Sequence, residues 1–369
     1  MLMRRRRGGP NPADLRDVVA AQISPVRRVL FLRDLRYTSH SSRFHSLTTA
    51  SARSQDKPMT TMTRDRPVII GIVGDSAAGK TTMAAGLEQI LGSERTLRIC
   101  TDDYHRYGRK ERAKLAITPH HPDCNYIDIL EQHVDLLRNA QPILKPVYDH
   151  EGGVLRAPEY VEPAPFIILE GLLGFSTQRL RDAYDIKLYL DPQTPLRLRW
   201  KFQRDTGFGG YAVEDVMTAI ETLKSDSERF VIPQRSYADM VVCFHPPEDD
   251  PEESGAGLNV RHILRPTLPT LDLAAALETA AGPALALELA RDVDGMPVDA
   301  LDINGVAAAE AGSLEDFLWR LLPTGGRAKP AIGSFHDHTH SRVHSPPLAL
   351  SQLLIAHYLL NAAQEQYAA

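Results

Sequence analysis

The sequence predicts an α/β fold of three layers with a mostly parallel sheet, followed by a C-terminal α+β extension. Three observations predict it. Short apolar runs recur along residues 66–246, as in strands that are buried on both faces of a parallel sheet. Stretches with apolar residues at helical spacing separate these runs, which is typical of alternating strands and helices. The first run leads through a glycine-bearing turn into a helical stretch.

The predicted elements follow in chain order. The strands of the sheet are predicted at Pro67–Val73, Leu97–Thr101, Phe166–Leu169, Ile186–Leu190 and Met240–Phe244. The helices between them are predicted at Thr81–Leu91, Ile127–Asn139, Leu196–Asp205 and Ala212–Leu223. The polar stretch 102–122 is predicted to be irregular. In the extension we predict an added strand at Leu258–Leu264, a helix over the Ala-rich stretch Ala274–Ala290 that Gly282-Pro283 interrupts, and a terminal helix at Leu348–Ala363.

Charge divides the chain into two unequal parts. Residues 1–58 carry twelve basic and four acidic side chains, a net charge of +8, and the remaining residues carry a net charge of −13. We predict that residues 1–65 are a disordered basic leader, or that translation begins later, at Met59 or Met62. An organelle-targeting leader is the alternative, and a cytoplasmic location is the expectation that we prefer.

Composition excludes several classes of protein. The acidic body disfavours nucleic acid as a partner, because phosphate binding needs a basic face. No run approaches 18 uncharged apolar residues, so we expect no membrane span. Three cysteines cannot supply a disulfide framework. The charged, proline-rich segment 247–257 predicts a linker or loop between a domain at 66–246 and the extension at 258–369.

The strongest signal is the segment GDSAAGKTT at 74–82, which fits the pattern G-x-x-x-x-G-K-[ST]. Glycines allow the backbone to curl so that its N–H groups face phosphates, and the following helix adds positive potential. A tight strand–helix turn without nucleotide is the alternative. We predict a P-loop NTPase-type fold that binds ATP and Mg²⁺ through Gly74, Asp75, Ser76, Ala77, Ala78, Gly79, Lys80, Thr81 and Thr82.

Two carboxylates end predicted strands at the edge where such folds bind ligands. Asp102 follows the second strand and is the candidate general base for an alcohol that accepts a phosphoryl group. Its neighbour Asp103 could belong to the same site, and the alternative is that Asp103 caps a helix or is solvated. Glu170 ends the strand FIIL and is, with Thr81, a candidate Mg²⁺ ligand, the alternative being a turn acid.

Two basic residues precede a glycine-rich segment that is predicted to be flexible. Lys201 and Arg204 are three residues apart, so they share a helix face, and the glycine-rich TGFGG follows them. Such a pair suits a lid that closes over phosphates and neutralises the transferring group. A solvated charged helix is the alternative.

Together these segments resemble the phosphoribulokinase/uridine kinase family of P-loop kinases, and within it the phosphoribulokinases. The matching segments are GDSAAGKTT (74–82), ICTDDYH (99–105), GRKE (108–111), KPVYDH (145–150), ILEGL (168–172), KFQRD (201–205) and IPQRSYADMVV (232–242). The resemblance implies a kinase domain at 66–246 that transfers the ATP γ-phosphoryl group to the C1 hydroxyl of ribulose 5-phosphate.

The resemblance also assigns roles to individual residues. Asp102 matches the general base of the family, Glu170 its metal-associated acid, and Lys201 and Arg204 its lid cations. The residues that correspond to sugar-phosphate contacts are His105, Arg109, Tyr148 and His150, the last two in a predicted KPVYDH loop. The chain departs from the family at Gly209, where an arginine is usual.

Two other functions stay open. A uridine-type nucleoside kinase shares the phosphate loop. A metal-binding P-loop NTPase chaperone is a hypothesis from another class, suggested by the histidine tract of His336, His338, His340 and His344. We prefer to interpret that tract as a flexible polar loop or as an anion-facing segment near a subunit boundary, because no cysteine accompanies it. We expect a small sugar phosphate as the partner of the site, no nucleic acid and no membrane, and a homodimer is an assembly that the sequence leaves open.

Overall fold

A computed structural model of the chain describes residues 66–207, 209–269, 285–304, 308–322, 329–337 and 341–368. All of them lie in one compact unit, Met62–Ala369. The predictions for the basic leader, for residues 274–284 and for His338 and His340 lie outside the described residues.

The strands form one large sheet and two hairpins. They are β1 (Val68–Gly74), β2 (Thr96–Cys100), β3 (Ile143–Asp149), β4 (Val154–Val161), β5 (Phe166–Gly171), β6 (Ile186–Leu190), β7 (Met240–His245), β8 (Asn259–Leu264), β9 (Leu285–Arg291), β10 (Pro297–Ile303), β11 (Ser334–His336) and β12 (Arg342–His344). The large sheet has the order β2-β5-β1-β6-β7-β8-β10-β9, while β3 pairs with β4 and β11 with β12.

The first five strands of this sheet are parallel, from β2 to β7. All seven residues of the central strand β1 are buried, which is why its sequence VIIGIVG is almost continuously apolar. The predicted α/β class with a mostly parallel sheet is therefore confirmed. Because parallel strands end at the same edge, the residues that follow β1, β2 and β5 meet there.

Helices pack against the sheet and form two buried apolar clusters with it. They are α1 (Lys80–Leu91), α2 (Arg109–Leu115), α3 (Ile127–Arg138), α4 (Gln178–Ala183), α5 (Thr194–Thr206), α6 (Val213–Asp226), α7 (Ala308–Leu321) and α8 (Pro346–Ala368). Short 3-10 turns occur between them, one of which spans Thr101–Tyr104. Within the described ranges, no helix combines the length and the apolar character that crossing a membrane requires.

Three predictions of local structure are wrong. The polar stretch 102–122 is not irregular throughout, because Arg109–Leu115 form helix α2. Residues 285–290 of the Ala-rich stretch are not helical but belong to the edge strand β9, because pairing with β10 along seven residues overrides the helical preference of Ala and Leu. The segment KPVYDH is not a loop: most of it lies in β3, which pairs with the exposed strand β4. A proline in β3 and the lack of alternation in β4 concealed this hairpin.

The extension, residues 258–369, is joined to residues 66–246 through both the sheet and a helix. Strand β8 pairs antiparallel with β7, so the sheet continues from one part of the sequence into the other. Helix α8 packs on α1 at Gly86, where an added Cβ would lie 2.1 Å from the amide of Gln352. That amide donates to the carbonyl of Thr82 at 3.2 Å and accepts from Gly333 N–H at 2.8 Å. One side chain thus connects the phosphate loop helix with the segment that leads into β11.

His262 on β8 provides a test of this packing. Its ring is fully buried, and its Nε2 lies 2.9 Å from the Ser351 hydroxyl, which donates its own hydrogen to the Pro347 carbonyl. Burial lowers the pKa of His262 from 6.5 to about 4.

We expect this histidine to make the protein acid-sensitive. Between pH 6.5 and about 4 the unfolded chain binds a proton that the folded chain rejects, so stability falls as the pH falls through that window. The full loss amounts to about 3 kcal/mol. In urea titrations, His262→Gln keeps a polar group that can bond to Ser351 but has no titrating ring, so it should lose less stability than the parent protein between pH 7 and pH 5. An identical loss in both proteins would contradict this assignment.

Candidate active site

The loop 75–79 joins β1 to α1 in a strained conformation. Gly79 has φ +89° and Ala77 has φ +65°, so both lie in the left-handed region. Helix α1 begins at Lys80 without a side-chain cap, which leaves the amides of its first turn directed at the loop. The Nζ atom of Lys80 folds back and donates to the carbonyls of Gly74 at 2.9 Å and Asp75 at 3.0 Å. This is an anion-binding concavity closed by one cation.

Lys80, Thr81 and Glu170 form a buried polar group below this loop. The Thr81 hydroxyl donates to Glu170 Oε2 at 2.9 Å. Burial raises the pKa of Glu170, and the charge of Lys80 and the Thr81 hydrogen bond counteract only part of that effect. Burial lowers the pKa of Lys80, opposed by the charges of Asp102 and Glu170. A hydroxyl beside a desolvated carboxylate is a donor set that suits Mg²⁺.

Asp102 lies in the 3-10 turn after β2 and is half-buried. A carboxylate oxygen of Asp102, the Sγ of Cys100 and a ring nitrogen of His150 all lie within 4.8 Å of one another. Burial raises the pKa of the Cys100 thiol well above its usual value, and the charges of Asp102 and Glu170 add to this effect. The turn after β3 thus brings a histidine to the carboxylate that the sequence predicts as the base.

Asp103, the next residue, is engaged elsewhere. Its Oδ2 accepts a hydrogen bond from Lys145 Nζ at 2.5 Å, and its Oδ1 accepts from the Tyr148 backbone amide at 2.9 Å. The alternative role for Asp103, a helix cap or a solvated group, is therefore wrong. It fastens β3 to the turn after β2 and so fixes Tyr148 and His150 near Asp102.

The predicted sugar-phosphate contacts gather on this side of the site. His105 is buried, its Nδ1 lies 2.7 Å from Asn125 Oδ1, and burial lowers the pKa of its ring. The ring of Tyr148 makes edge contacts with His105 at 4.9 Å and with His150 at 5.0 Å between centroids. Arg109 is exposed on α2 and donates to the His150 carbonyl.

Arg112 is a member of this group that the sequence argument missed. Its guanidinium donates to the Tyr148 hydroxyl at 2.8 Å and lies 5.1 Å from the centre of that ring. It follows Arg109 by three residues on α2, so helical spacing from the matched GRKE segment could have found it. Two guanidinium groups therefore lie beside His150 and Tyr148.

The side chain of Asp75 is buried beneath the loop, where it contacts residues that no spacing in the sequence relates to it. It is 6% exposed and accepts from the Ser227 hydroxyl at 2.6 Å, while Arg197 lies 3.1 Å and His120 3.8 Å from it. Burial alone would raise the pKa of Asp75, but Arg197, Ser227 and His120 together hold it below its usual value. Residues from distant parts of the chain thus fix the start of the phosphate loop.

The two predicted lid cations differ in their surroundings. Lys201 is 6% exposed and pairs with Asp205 at 2.8 Å. Arg204 is half-exposed, pairs with the same aspartate at 2.8 Å and reaches the Ser76 hydroxyl at 3.4 Å. A Cβ on Gly209 would lie 2.6 Å from the Asp205 carbonyl, so this backbone leaves no room for the arginine usual in the family.

The described part of the histidine tract does not form a metal site. His336 and His344 lie on β11 and β12, where His336 pairs with Arg342 and His344 with Ser334. Among the described residues, neither belongs to a group of three side chains close enough to share a metal ion.

Comparisons with known proteins agree with this geometry. Residues 69–249 match the model of the phosphoribulokinase / uridine kinase family. A phosphoribulokinase from Synechocystis sp. is 36% identical over 199 residues, which are 54% of this chain and 60% of that protein. A uridine kinase from Latilactobacillus sakei is 35% identical over 186 residues, which are 49% of this chain and 88% of that protein.

The solved structure of a phosphoribulokinase from Rhodobacter spheroides has the same fold, with a TM-score of 0.52 at 17% identity, over 70% of this chain and 96% of that one. The chain spans 60% or less of the length of the curated phosphoribulokinases that it matches. With a uridine kinase matched over most of its length and the phosphate loop, Glu170 and Asp102 all inside the matched region, this chain belongs to the phosphoribulokinase / uridine kinase family.

Proposed function

We propose that the protein transfers the γ-phosphoryl group of ATP to the C1 hydroxyl of ribulose 5-phosphate, which gives ribulose 1,5-bisphosphate. One observation carries the proposal. Asp102 lies between a phosphate loop with its buried Lys80 and Glu170 on one side and a group of imidazole, phenol and guanidinium side chains on the other. A phosphorylated alcohol bound between them would contact a base, the phosphoryl donor and cationic groups that can bind its own phosphate.

The donor side fits Mg-ATP. The amides of the loop and Lys80 would bind the phosphates, and the Thr81 hydroxyl with Glu170 would hold the cation. Bound Mg²⁺ would neutralise charge on the phosphate oxygens. Arg204, which reaches Ser76, is the lid cation within range of the loop, whereas Lys201 first has to leave Asp205.

On the acceptor side, Asp102 takes the proton of the attacking hydroxyl. His150 lies beside this carboxylate and can donate to it or to the sugar. The existing phosphate of the sugar needs cations, and Arg109 and Arg112 offer planar guanidinium groups that bind phosphate bidentately. Tyr148, held by Arg112, and His105 supply further polar contacts.

A nucleoside kinase is the second candidate, favoured by the uridine kinase relative that the chain covers almost completely. A nucleoside has no phosphate for Arg109 and Arg112 to bind, so we prefer the sugar phosphate. A coupled assay of ADP release with ribulose 5-phosphate and uridine side by side separates the two. Turnover with uridine alone would overturn the proposal.

Arg109→Ala is expected to raise the KM for the sugar phosphate by about 10- to 100-fold, because one charge-assisted contact contributes about 1.5–3 kcal/mol. The KM for ATP and kcat should change little. The matched control is Lys110→Ala, which removes the exposed cation next to it on α2. An unchanged KM for the sugar phosphate in Arg109→Ala, or an equal rise in Lys110→Ala, would exclude Arg109 from the site.

The domain organisation, the cellular location and the assembly of the protein are also part of the proposal. We place the kinase domain at 66–246 and regard 258–369 as an extension packed on it, although their strands share one sheet. A cytoplasmic location is a prediction that cell fractionation would test. The sequence leaves a homodimer open, and size-exclusion chromatography would decide it.

A further inference from the structure

Cys100 is a side chain that the proposed reaction does not use. It is the last residue of β2, two residues before Asp102, and it is half-buried. Its Sγ, a carboxylate oxygen of Asp102 and a ring nitrogen of His150 all lie within 4.8 Å of one another. Within the part of the chain that the structure describes, this is the one group of three histidine, cysteine or carboxylate side chains that comes so close together.

The three donor atoms suit zinc rather than magnesium. Thiolate sulfur, imidazole nitrogen and carboxylate oxygen are the ligands of Zn²⁺, at about 2.0–2.3 Å from the ion. Around a tetrahedral ion such atoms lie about 3.5 Å apart, so each of the three would have to move by about 1 Å or less. Mg²⁺ instead takes oxygen ligands in an octahedron and releases its water reluctantly. The Thr81 hydroxyl with Glu170 therefore suits Mg²⁺, and the group of Cys100, Asp102 and His150 suits Zn²⁺.

The hairpin of β3 and β4 holds His150 beside the other two ligands before any ion binds. Asp103 accepts from the Tyr148 amide at 2.9 Å, and the Tyr148 ring contacts His150 edge-on, with 5.0 Å between ring centroids. Arg109 donates to the His150 carbonyl from the other side. The side chain of His150 is exposed, so its ring can turn toward an ion. Three protein ligands leave a fourth position for water, which is the pattern of accessible zinc sites.

The charges around Cys100 favour a cation. Three charged groups act on its thiol, Asp102, Glu170 and Asp103, and all three are carboxylates. Lys80 is the opposing cation, since its charge interacts with Asp102, Glu170 and Cys100. A coordinating Zn²⁺ ion displaces the thiol proton to solvent and leaves a thiolate. With a thiolate at Cys100, negative groups outnumber Lys80, so a divalent cation is the charge that fits this position.

We propose that Cys100, Asp102 and His150 bind one Zn²⁺ ion and that the bound ion inhibits the enzyme. As a zinc ligand, Asp102 is no longer free to take the proton of the attacking hydroxyl, and the ring of His150 is withdrawn from the sugar. Turnover therefore stops until a chelator removes the ion. Binding of zinc does not depend on the proposed function, whereas the inhibition rests on it, because it takes Asp102 as the base.

The first test identifies the ligands with Co²⁺ in place of Zn²⁺. Co²⁺ absorbs light, and a bond to a thiolate adds an intense charge-transfer band. In a titration of the full chain without nucleotide, we expect this band to saturate at one ion per chain in the parent protein and to be absent in Cys100→Ser. The Kd for Zn²⁺ should rise at least about 10- to 100-fold in Cys100→Ser and in His150→Ala, since even the loss of a group that only orients a ligand costs that much.

Cys243→Ser is the matched control. Cys243 is also half-buried and lies on β7, outside the group of three. This variant should keep the band and the Kd of the parent protein. The histidine tract at 336–344 contains no cysteine, so Co²⁺ that binds there gives no thiolate band.

The second test follows turnover. ADP formed from ribulose 5-phosphate and excess Mg-ATP is measured by chromatography, so that no coupling enzyme is exposed to zinc. Zn²⁺ should abolish turnover of the parent protein, and a chelator selective for Zn²⁺ should restore it. In Cys100→Ser, turnover without zinc should stay close to that of the parent protein, and the zinc concentration for half inhibition should rise at least about 10-fold. Cys243→Ser should be inhibited like the parent protein.

The outcomes separate binding, inhibition and the proposed function. A parent protein without the thiolate band, or a band that survives in Cys100→Ser, would overturn the zinc site. If the band behaves as expected but zinc leaves turnover unchanged, or inhibits the parent protein and Cys100→Ser equally, then inhibition through this site is overturned. If ribulose 5-phosphate is not turned over even before zinc is added, the proposed function and the inhibition fail together, while the Co²⁺ band still decides whether the site exists.

Discussion

Asp102→Asn is expected to lower kcat by about 10²–10⁴, with small changes in the KM of ATP and of the sugar phosphate. Asparagine has the shape of aspartate but cannot accept the proton of the attacking hydroxyl. The carboxylate of Asp102 lies within 4.8 Å of a ring nitrogen of His150 and interacts with the charge of buried Lys80, so it has a position from which it can serve the acceptor. Steady-state kinetics of ADP release measures both constants.

Asp103→Asn is the matched control for this prediction, because it changes the same chemical group one residue away. Its carboxylate fastens Lys145 and the Tyr148 amide, so the variant should unfold at lower temperature and bind the sugar phosphate less well. Its kcat should fall far less than that of Asp102→Asn. Turnover of Asp102→Asn close to that of the parent protein would remove Asp102 from the reaction.

The signals in the sequence that predict the donor side of the candidate site are local. A buried strand, a glycine loop and a helix start follow one another within 74–82, and Glu170 ends a strand whose apolar run is just as plain. Such patterns reflect backbone geometry and burial, which neighbouring residues determine. The same locality explains why most strand ends were predicted within one or two residues.

The parts that the sequence did not reveal depend on distant contacts. The cluster behind Asp75 draws on His120, Arg197 and Ser227, which no sequence spacing relates to the loop. Asp103 fastens the hairpin of β3 and β4, and nearly all of β4 is exposed, so alternation could not show it. Residues 285–291 adopt the strand β9 because they pair with β10. In each case tertiary pairing overrides local preference.

Lys80→Met is the second large effect that we expect. The substitution keeps most of the side-chain volume and removes the cation that folds over the loop, so kcat/KM for Mg-ATP should fall by about 10²–10³, as for the loss of one preorganised group that stabilises transition-state charge. The variant should also change how activity depends on pH, because Lys80 is the strongest of the effects that oppose the raised pKa of Glu170.

The sign of that change follows from burial. Desolvation already raises the pKa of Glu170, and without Lys80 the pKa rises further, so a larger fraction of this carboxyl is protonated at a given pH. A protonated carboxyl binds Mg²⁺ poorly. The residual activity of Lys80→Met should therefore increase more steeply with rising pH than that of the parent protein.

Arg98→Met separates this electrostatic effect from the role of Lys80 at the phosphates. Arg98 lies 4.0 Å from Glu170 Oε1, on a more exposed side chain, and ranks below Lys80 among the influences that lower the pKa of Glu170. It should shift the pH profile slightly in the same direction while retaining most of the activity at high pH. If Lys80→Met shows an unshifted profile, or recovers full activity at high pH, then Lys80 does not act on both Glu170 and the donor phosphates.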